Sequence, residues 1–465
     1  MSRFGSYFDG LDEPDREKEI EVLRFAWQKL LDGKDFLEEA DSSGSLACLA
    51  TRFGLEFNED EESREVSYKQ VERHMRICLA ITTGFETIVT CAASEPLLAE
   101  AAFHLMRNSM LSPVKVLANH ANLYCIDRGR RGELVAALIV MQARDMSLPK
   151  DSPQRRWVFV TEFMEALLPP QASGPLLGSL PTRWREGEGN ITFRQRFNGY
   201  RLWFNHIIKV EDSEIIRPDF IWKYITRGAM IICKDGQEGI DLVLPVSVCL
   251  DGNLSGQTVT CILIQVKNAD HFKLKVDKTL FDAIDPRKLG LLPNDPKPII
   301  RMVFALASPE AGVCFPTRRT RETRYSDDFT SYDIWCAGLS TETFHQVGGD
   351  LDSYKKLLDR LQRPHDAFDV SESYGPLITT MDVEGDVGST RRSMAPLIRF
   401  NGHDVIHYGS DSSGKSKSRG RGEGGGRGGG RGRGKGKGKG KGKGKDADKD
   451  EVAYEEMAID DAEFS

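Results

Sequence analysis

With 465 residues, 40% apolar side chains and a net charge of −7, the chain exceeds one ordinary domain and is apolar enough for a real core. The charge is polarised: thirteen Lys or Arg against one Glu between 413 and 445 give +12, nine acids against Lys449 from 446 onward give −8, and the remainder carries −11. An acidic body argues against a histone-like wrapper and restricts nucleic-acid contact to a local patch plus the basic arm. The absence of an apolar leader predicts no secretory signal, and the absence of an 18-residue apolar run predicts no membrane span. The nine scattered cysteines lack metal-finger spacing and predict reduced thiols inside a cell.

Residues 1–188 are predicted to be mostly helical. The stretch Asp15–Asp32 carries Ile20, Leu23, Phe25, Trp27, Leu30 and Leu31 on one broad face, with Pro14 before it and Gly33 after it, as expected of helix ends. Further helical patterns run over 66–82, 96–110, 132–145 and 154–168. This region reads as a helical domain or cap and offers a surface for protein partners. Residues 193–208, FRQRFNGYRLWFNHII, interleave aromatic residues with Arg194, Arg196 and Arg201. They read as an amphipathic helix with an aromatic core, with base stacking as the alternative.

Between 189 and 345 the pattern is mixed. A helix is predicted over Pro218–Arg227, with Pro218 at a first helical position where its missing N–H costs nothing. Strands follow at AMIICK (229–234), IDLVLPV (240–246) and VTCILIQVKN (259–268), then a helix near 277–284 and strands at 298–307 and 332–339. Helix, three strands, helix, strand is a mixed α/β order. Residues 346–405 form a weakly patterned extension with one helix at 353–361. Residues 406–465 form a Gly/Arg/Lys-rich tail with an acidic end, predicted to be disordered and solvated. The stretch GSDSSGKS (409–416) fits the phosphate-loop expression, but the glycine-rich run after it is unsuited to the required helix, and the match is read as chance.

The run ILIQVKN (262–268) poses a chemical question. Its apolar residues suit a buried strand, yet Gln265 and Lys267 share one face about 6.6 Å apart, with Val266 opposite. Asp241 stands at the start of the preceding apolar strand. If the two strands are neighbours, a carboxylate, an amide oxygen and an ammonium meet. Such a set suits a hard divalent ion, with the Val266 carbonyl as a further oxygen, and leaves Lys267 to position or activate a water and offset charge on a phosphate. Spacing alone favours the plainer reading, a polar strand end of a kind common on surfaces.

The pair GQEGIDLVLPV and ILIQVKN resembles the core of the PD-(D/E)xK, or restriction-endonuclease-like, nuclease superfamily. It is most similar to the QxK variant seen in methylated-DNA restriction endonucleases and archaeal-type Holliday-junction resolvases. The resemblance spans about 215–310. It implies a divalent-metal-dependent DNA endonuclease in which Asp241 and Gln265 bind Mg²⁺ or Mn²⁺ and Lys267 is catalytic. The family's upstream acidic ligand falls on Asp219 or Glu214. The chain departs from the family pattern in lacking a Pro before Asp241 and in its longer loop between the two strands.

Nucleic-acid contacts are expected at Arg318, Arg319 and Arg321 of TRRTRETR, and at Arg427, Arg431 and Arg433 of the arm, which acts by counterion release. DNA is favoured over RNA as the partner. The arm also suits nuclear import, which predicts a nuclear protein. Two alternatives remain at this stage: a catalytically degenerate nuclease fold that binds nucleic acid or protein, and a glycine/arginine-rich RNA-binding protein with an unrelated folded part.

Overall fold

Leu242–Ser247 and Val259–Lys267 pair antiparallel at the centre of a nine-stranded mixed sheet. The computed structural model describes residues 13–35, 42–58, 60–81, 88–92, 95–124, 128–149, 156–210, 216–234, 237–248, 254–289, 291, 297–318 and 329–359. All of these fall within one unit, Met1–Phe400. The tail from 406 lies outside the described residues, as do residues 360–405.

In chain order the elements are α1 (Glu13–Leu30), α2 (Ser42–Phe53), α3 (Glu61–Arg73), β1 (Ile77–Ile81), β2 (Ile88–Cys91), α4 (Pro96–Asn108), α5 (Pro113–His120) and α6 (Arg128–Ser147). They continue with β3 (Val158–Phe159), α7 (Val160–Leu167), α8 (Pro170–Gly178), α9 (Phe193–Phe197), β4 (Arg201–Leu202), β5 (His206–Lys209) and α10 (Pro218–Thr226). The last group is β6 (Ala229–Ile232), β7 (Leu242–Ser247), β8 (Val259–Lys267), α11 (Lys278–Ala283), β9 (Ile299–Ala305), β10 (Gly312–Cys314), β11 (Ser331–Ala337) and α12 (Leu351–Asp359). The fold is mixed α/β behind a helical N-terminal region, and α10, β6, β7, β8, α11 and β9 follow the predicted order.

Three segments differ from the expectation. The helical pattern of 66–82 breaks at Met75, whose φ of 60° ends α3, and the apolar run after it becomes β1. Residues 154–168 contribute β3 before α7, so the sheet draws on chain upstream of residue 189. The aromatic stretch 193–208 is helical only over α9. Thr192 and Gln195 cap its start reciprocally, Gly199 at a φ of 80° ends it, and β4 and β5 follow. Its rings still cluster, with Phe193 and Phe197 packed edge-on against Tyr332 at 5.3 and 5.4 Å.

The sheet runs β10-β11-β9-β8-β7-β4-β3, with β6 also on β7 and β5 on β6. One edge of β7 is shared: β6 pairs with Leu242 and Val243, β4 with Val246 and Ser247. Pro245 sits at the junction between them. The bond from the Val248 N–H to Thr258 O shows that even-numbered positions of this strand face β8. The missing N–H of Pro245 therefore points at the gap between β6 and β4 and costs no ladder bond. Strands β8, β9 and β11 are mutually parallel.

Strand alternation divides the core in two. Leu242, Leu244, Ile262, Ile264, Met302 and Phe304 pack with the N-terminal helices. Val243, Cys261, Leu263, Val303 and Trp335 pack with α10 and α11. A buried polar network ties the helices to the sheet on the first side. Arg52 grips Asp145 with two bonds of 2.8 and 2.9 Å, and its Nε donates to the Asn205 carbonyl. Arg144 donates to the same Asp145, and Asn205 Nδ2 donates to Glu100 at 2.8 Å. Both guanidinium groups lie over the Phe103 ring. Burial alone would raise the Glu100 carboxyl, but His104, Arg144 and Asn205 hold it at about 2.

His206, at the start of β5, is fully buried beside this network, and burial together with the charges of Arg227 and Arg52 lowers its pKa from 6.5 to about 3. The unfolded chain takes up a proton at this position below pH 6.5 and the folded chain does not until near pH 3. The stabilisation is thus complete above pH 6.5 and is lost as the pH falls. Chemical denaturation at pH 7 and pH 5 is expected to show a loss of about 2 kcal/mol from this residue, and His206→Asn is expected to flatten that slope.

Candidate functional site

Where β7 begins, the chain carries one residue too many. Leu242 is the register partner of Ile264, yet the Asp241 N–H also bonds Ile264 O, at 2.9 Å. Two residues against one make a β-bulge, a device that re-aims a side chain. The Asp241 carbonyl accepts from Cys233 N on the other side. The carboxylate turns toward β8, where Oδ2 accepts the Val266 N–H at 2.6 Å. Asp241 therefore touches the Gln265–Val266 peptide, on the residue flanked by Gln265 and Lys267, the two side chains that share a face.

Their surroundings follow from the register. Gln265 opposes Val303, which opposes Trp335; one step down, Leu263 opposes Arg301, which opposes Asp333. Gln265 is 4% exposed and its Oε1 has no hydrogen-bond partner among the described residues. Ladder alternation turns the Val266 carbonyl to the same side as its N–H, toward Asp241. Lys267 is half-buried at the strand end. Burial pushes the Asp241 carboxyl above its ordinary range, while the Val266 N–H and the Lys267 ammonium pull it back. The Cys233 thiol is pushed well up by burial, then by the charges of Asp241 and Glu133.

Two backbone contacts hold the region in place. Gly239, at a φ of 86°, approaches α11 so closely that an added Cβ would lie 2.3 Å from Ala283 O. The end of α11 is seated by Arg301. Its Nη1 donates to Phe281 O at 2.6 Å, while Nε and Nη2 grip the buried Asp333 at 2.8 and 2.6 Å. On the other face, Gly132 of α6 packs against Val266 and Asn268, where a Cβ would come within 3.3 Å of both.

Asp241, Gln265 and Lys267 are thus brought together, and Asp219 is not. Asp219 opens α10 beside the β7–β8 turn, with Oδ1 3.2 Å from where a Cβ on Gly256 would stand. Six residues separate Val259 from Gln265, so that turn lies about 20 Å along the sheet from the site. The expected role of Asp219 as a metal ligand is therefore corrected, because it sits at the far end of the same hairpin. The other acid considered there, Glu214, lies outside the described residues. Glu133, on α6, raises the Cys233 thiol electrostatically but is not among the groups that shift Asp241. Among the described residues, no group of three His, Cys, Asp or Glu forms a metal-binding cluster.

Arg318 does not form part of this site. Its guanidinium stacks 4.1 Å over Trp184 and donates to Gly189 O, on the sheet edge near the start of β11. Arg319, Arg321, Arg427, Arg431 and Arg433 lie outside the described residues.

A family model described as a domain of unknown function (DUF8736) matches residues 34–284, just over half of the chain. No curated protein and no solved structure matches. The matched stretch includes Glu133, Asp241, Gln265 and Lys267.

A buried amide oxygen without a partner costs about 1–3 kcal/mol. Gln265→Met keeps the shape and removes that oxygen, so its melting temperature is expected to rise by a few degrees. A melting series on the variant and the parent protein measures the shift.

Proposed function

The chain belongs to the DUF8736 family, a membership that carries no activity with it, and from the site alone we propose that it is a divalent-metal-dependent nuclease of the PD-(D/E)xK type in its QxK form. One observation carries the reading: the buried, unpartnered Gln265 Oε1 stands beside a carboxylate that a bulge has turned onto the adjacent peptide. A structural strand end would have no use for the orphaned amide oxygen, which costs stability.

Asp241, Gln265 Oε1 and the Val266 carbonyl are the oxygens that would hold Mg²⁺ or Mn²⁺, a hard-oxygen set that leaves coordination positions for water and phosphate. When bound, the ion polarises the phosphoryl oxygen and makes a water more acidic. The chain's own residues do the rest. Asp241 spends Oδ2 on Val266 and offers Oδ1. Lys267 brings a positive charge and N–H donors to the phosphate, where negative charge grows as water adds to phosphorus and the P–O bond to the leaving sugar breaks. DNA is the proposed substrate and the nucleus the proposed location, on the strength of the +12 arm between 413 and 445.

A second reading, a nuclease-like fold that binds nucleic acid without cutting it, is favoured by the scarcity of clustered acids among the described residues. One assay separates the two. Purified protein with Mg²⁺ or Mn²⁺ is expected to cut at least one of duplex, branched or single-stranded DNA, and chelation is expected to stop it. Lys267→Ala is expected to lower kcat about 100-fold or more with the melting curve unchanged. Absence of cutting on all three substrates with either ion leaves the binding module.

A further inference from the structure

Beyond β8 the chain continues as KNADHFKLKVDK, residues 267–278. It crosses the face of the sheet that carries Gln265 before α11 begins. Phe272, Leu274 and Val276 pack onto the second core. Phe272 lies 6.4 Å from the Trp335 ring, and Trp335 Nε1 donates to Lys273 O at 3.0 Å. Between these anchors, His271, Lys273 and Lys275 are exposed, and Lys278 is exposed at the first turn of α11. Trp335 lies two strands from Gln265 in the same cross-sheet row, about 10 Å away.

Two of the nearby acids are engaged with the backbone. Glu310 accepts the Leu274 N–H at 2.9 Å, and Asp277 caps α11 by accepting from Thr279. Asp270 is exposed, and among the described residues none of His271, Lys273, Lys275 and Lys278 forms an ion pair. A solvated surface loop of mixed charge balances its cations with acids. Here Glu310 and Asp277 fix the backbone, and His271, Lys273 and Lys275 stand on alternate residues as a cationic row, with Lys267 in the site before them and Lys278 after them.

We propose that residues 267–278 form a track for the phosphate backbone of a nucleic-acid strand and deliver it to Asp241, Gln265 and Lys267. This rests on the nuclease reading in taking a phosphodiester polymer as the substrate. The track differs from the glycine-rich arm in kind. Its cations stand on a backbone already pinned by Trp335, Glu310 and Asp277, so they set the register of the strand, whereas the arm supplies undirected attraction.

The test is lysine footprinting on the full chain, without divalent metal, so that binding is read apart from cutting. The probes are an about 30-nucleotide single-stranded DNA, its duplex and the RNA of the same sequence. Acetylation of Lys273, Lys275 and Lys278 is expected to slow about fivefold at saturation, while Lys355 and Lys356 on α12 are unaffected. Protection by DNA alone assigns the track to DNA, and protection by DNA and RNA assigns it to the shared backbone. Protection confined to the lysines of 415–445, or absent altogether, overturns the track. Where the protein cuts, Lys273→Gln combined with Lys275→Gln is expected to raise KM about tenfold with kcat within twofold, an unchanged melting curve and a weaker salt dependence. A protected track in a protein that does not cut supports this proposal and counts against catalysis alone.

Discussion

The bond from the Val266 N–H to the Asp241 carboxylate closes a gap that opens where β7 parts from β8. Without it, a buried donor in the central strand would lose its partner, because the chain before β7 has bulged away from the ladder. The bond fixes the carboxylate beside Val266, the residue between Gln265 and Lys267. The chemical character of that end of the sheet depends on this contact: without the bulge, Asp241 would keep its backbone on the β6 side and its side chain in ordinary alternation.

The two sides of the sheet are held by different means. On the helical side, Arg52, Arg144, Asp145, Glu100 and Asn205 form a buried hydrogen-bonded network across α2, α4, α6 and the approach to β5. On the other side, Arg301 and Asp333 form a buried pair whose remaining donor seats the end of α11. Buried charges of this kind contribute less to net stability than to a unique arrangement, and removing one partner is costly because the other remains stranded. Both sets lie under elements that border the site: α6 brings Gly132 against Val266, and α11 meets Gly239.

Much of this architecture was legible in the sequence. The long apolar runs of β7, β8, β9 and β11 name themselves, and the helix–strand order between Pro218 and Ala305 follows from their turn residues. The closeness of Asp241, Gln265 and Lys267 was legible because alternation puts Gln265 and Lys267 together and an acid opens the neighbouring strand. What escaped has physical reasons. β3, β4 and β10 are two or three residues long, too short for any periodicity, and exist because a neighbour offers an edge. The bulge leaves no compositional trace. Asp219 is near β6 in sequence, but linear order is silent about which end of a hairpin a helix start will meet. The aromatic stretch of 193–208 carried its own correction in Asn198-Gly199, a turn signal overridden by the appeal of a continuous amphipathic pattern.

The approach of Gly239 to Ala283 has a consequence for how this protein can change over time. Main chain meets main chain there, so no rotamer is available to absorb an error, and even a methyl group would have to displace either the loop or the helix. Drift in the surrounding apolar residues can reshape the second core without disturbing the spacing between the acid-bearing loop and α11. The alignment is inherited from the backbone, and its tolerance is set by one hydrogen atom.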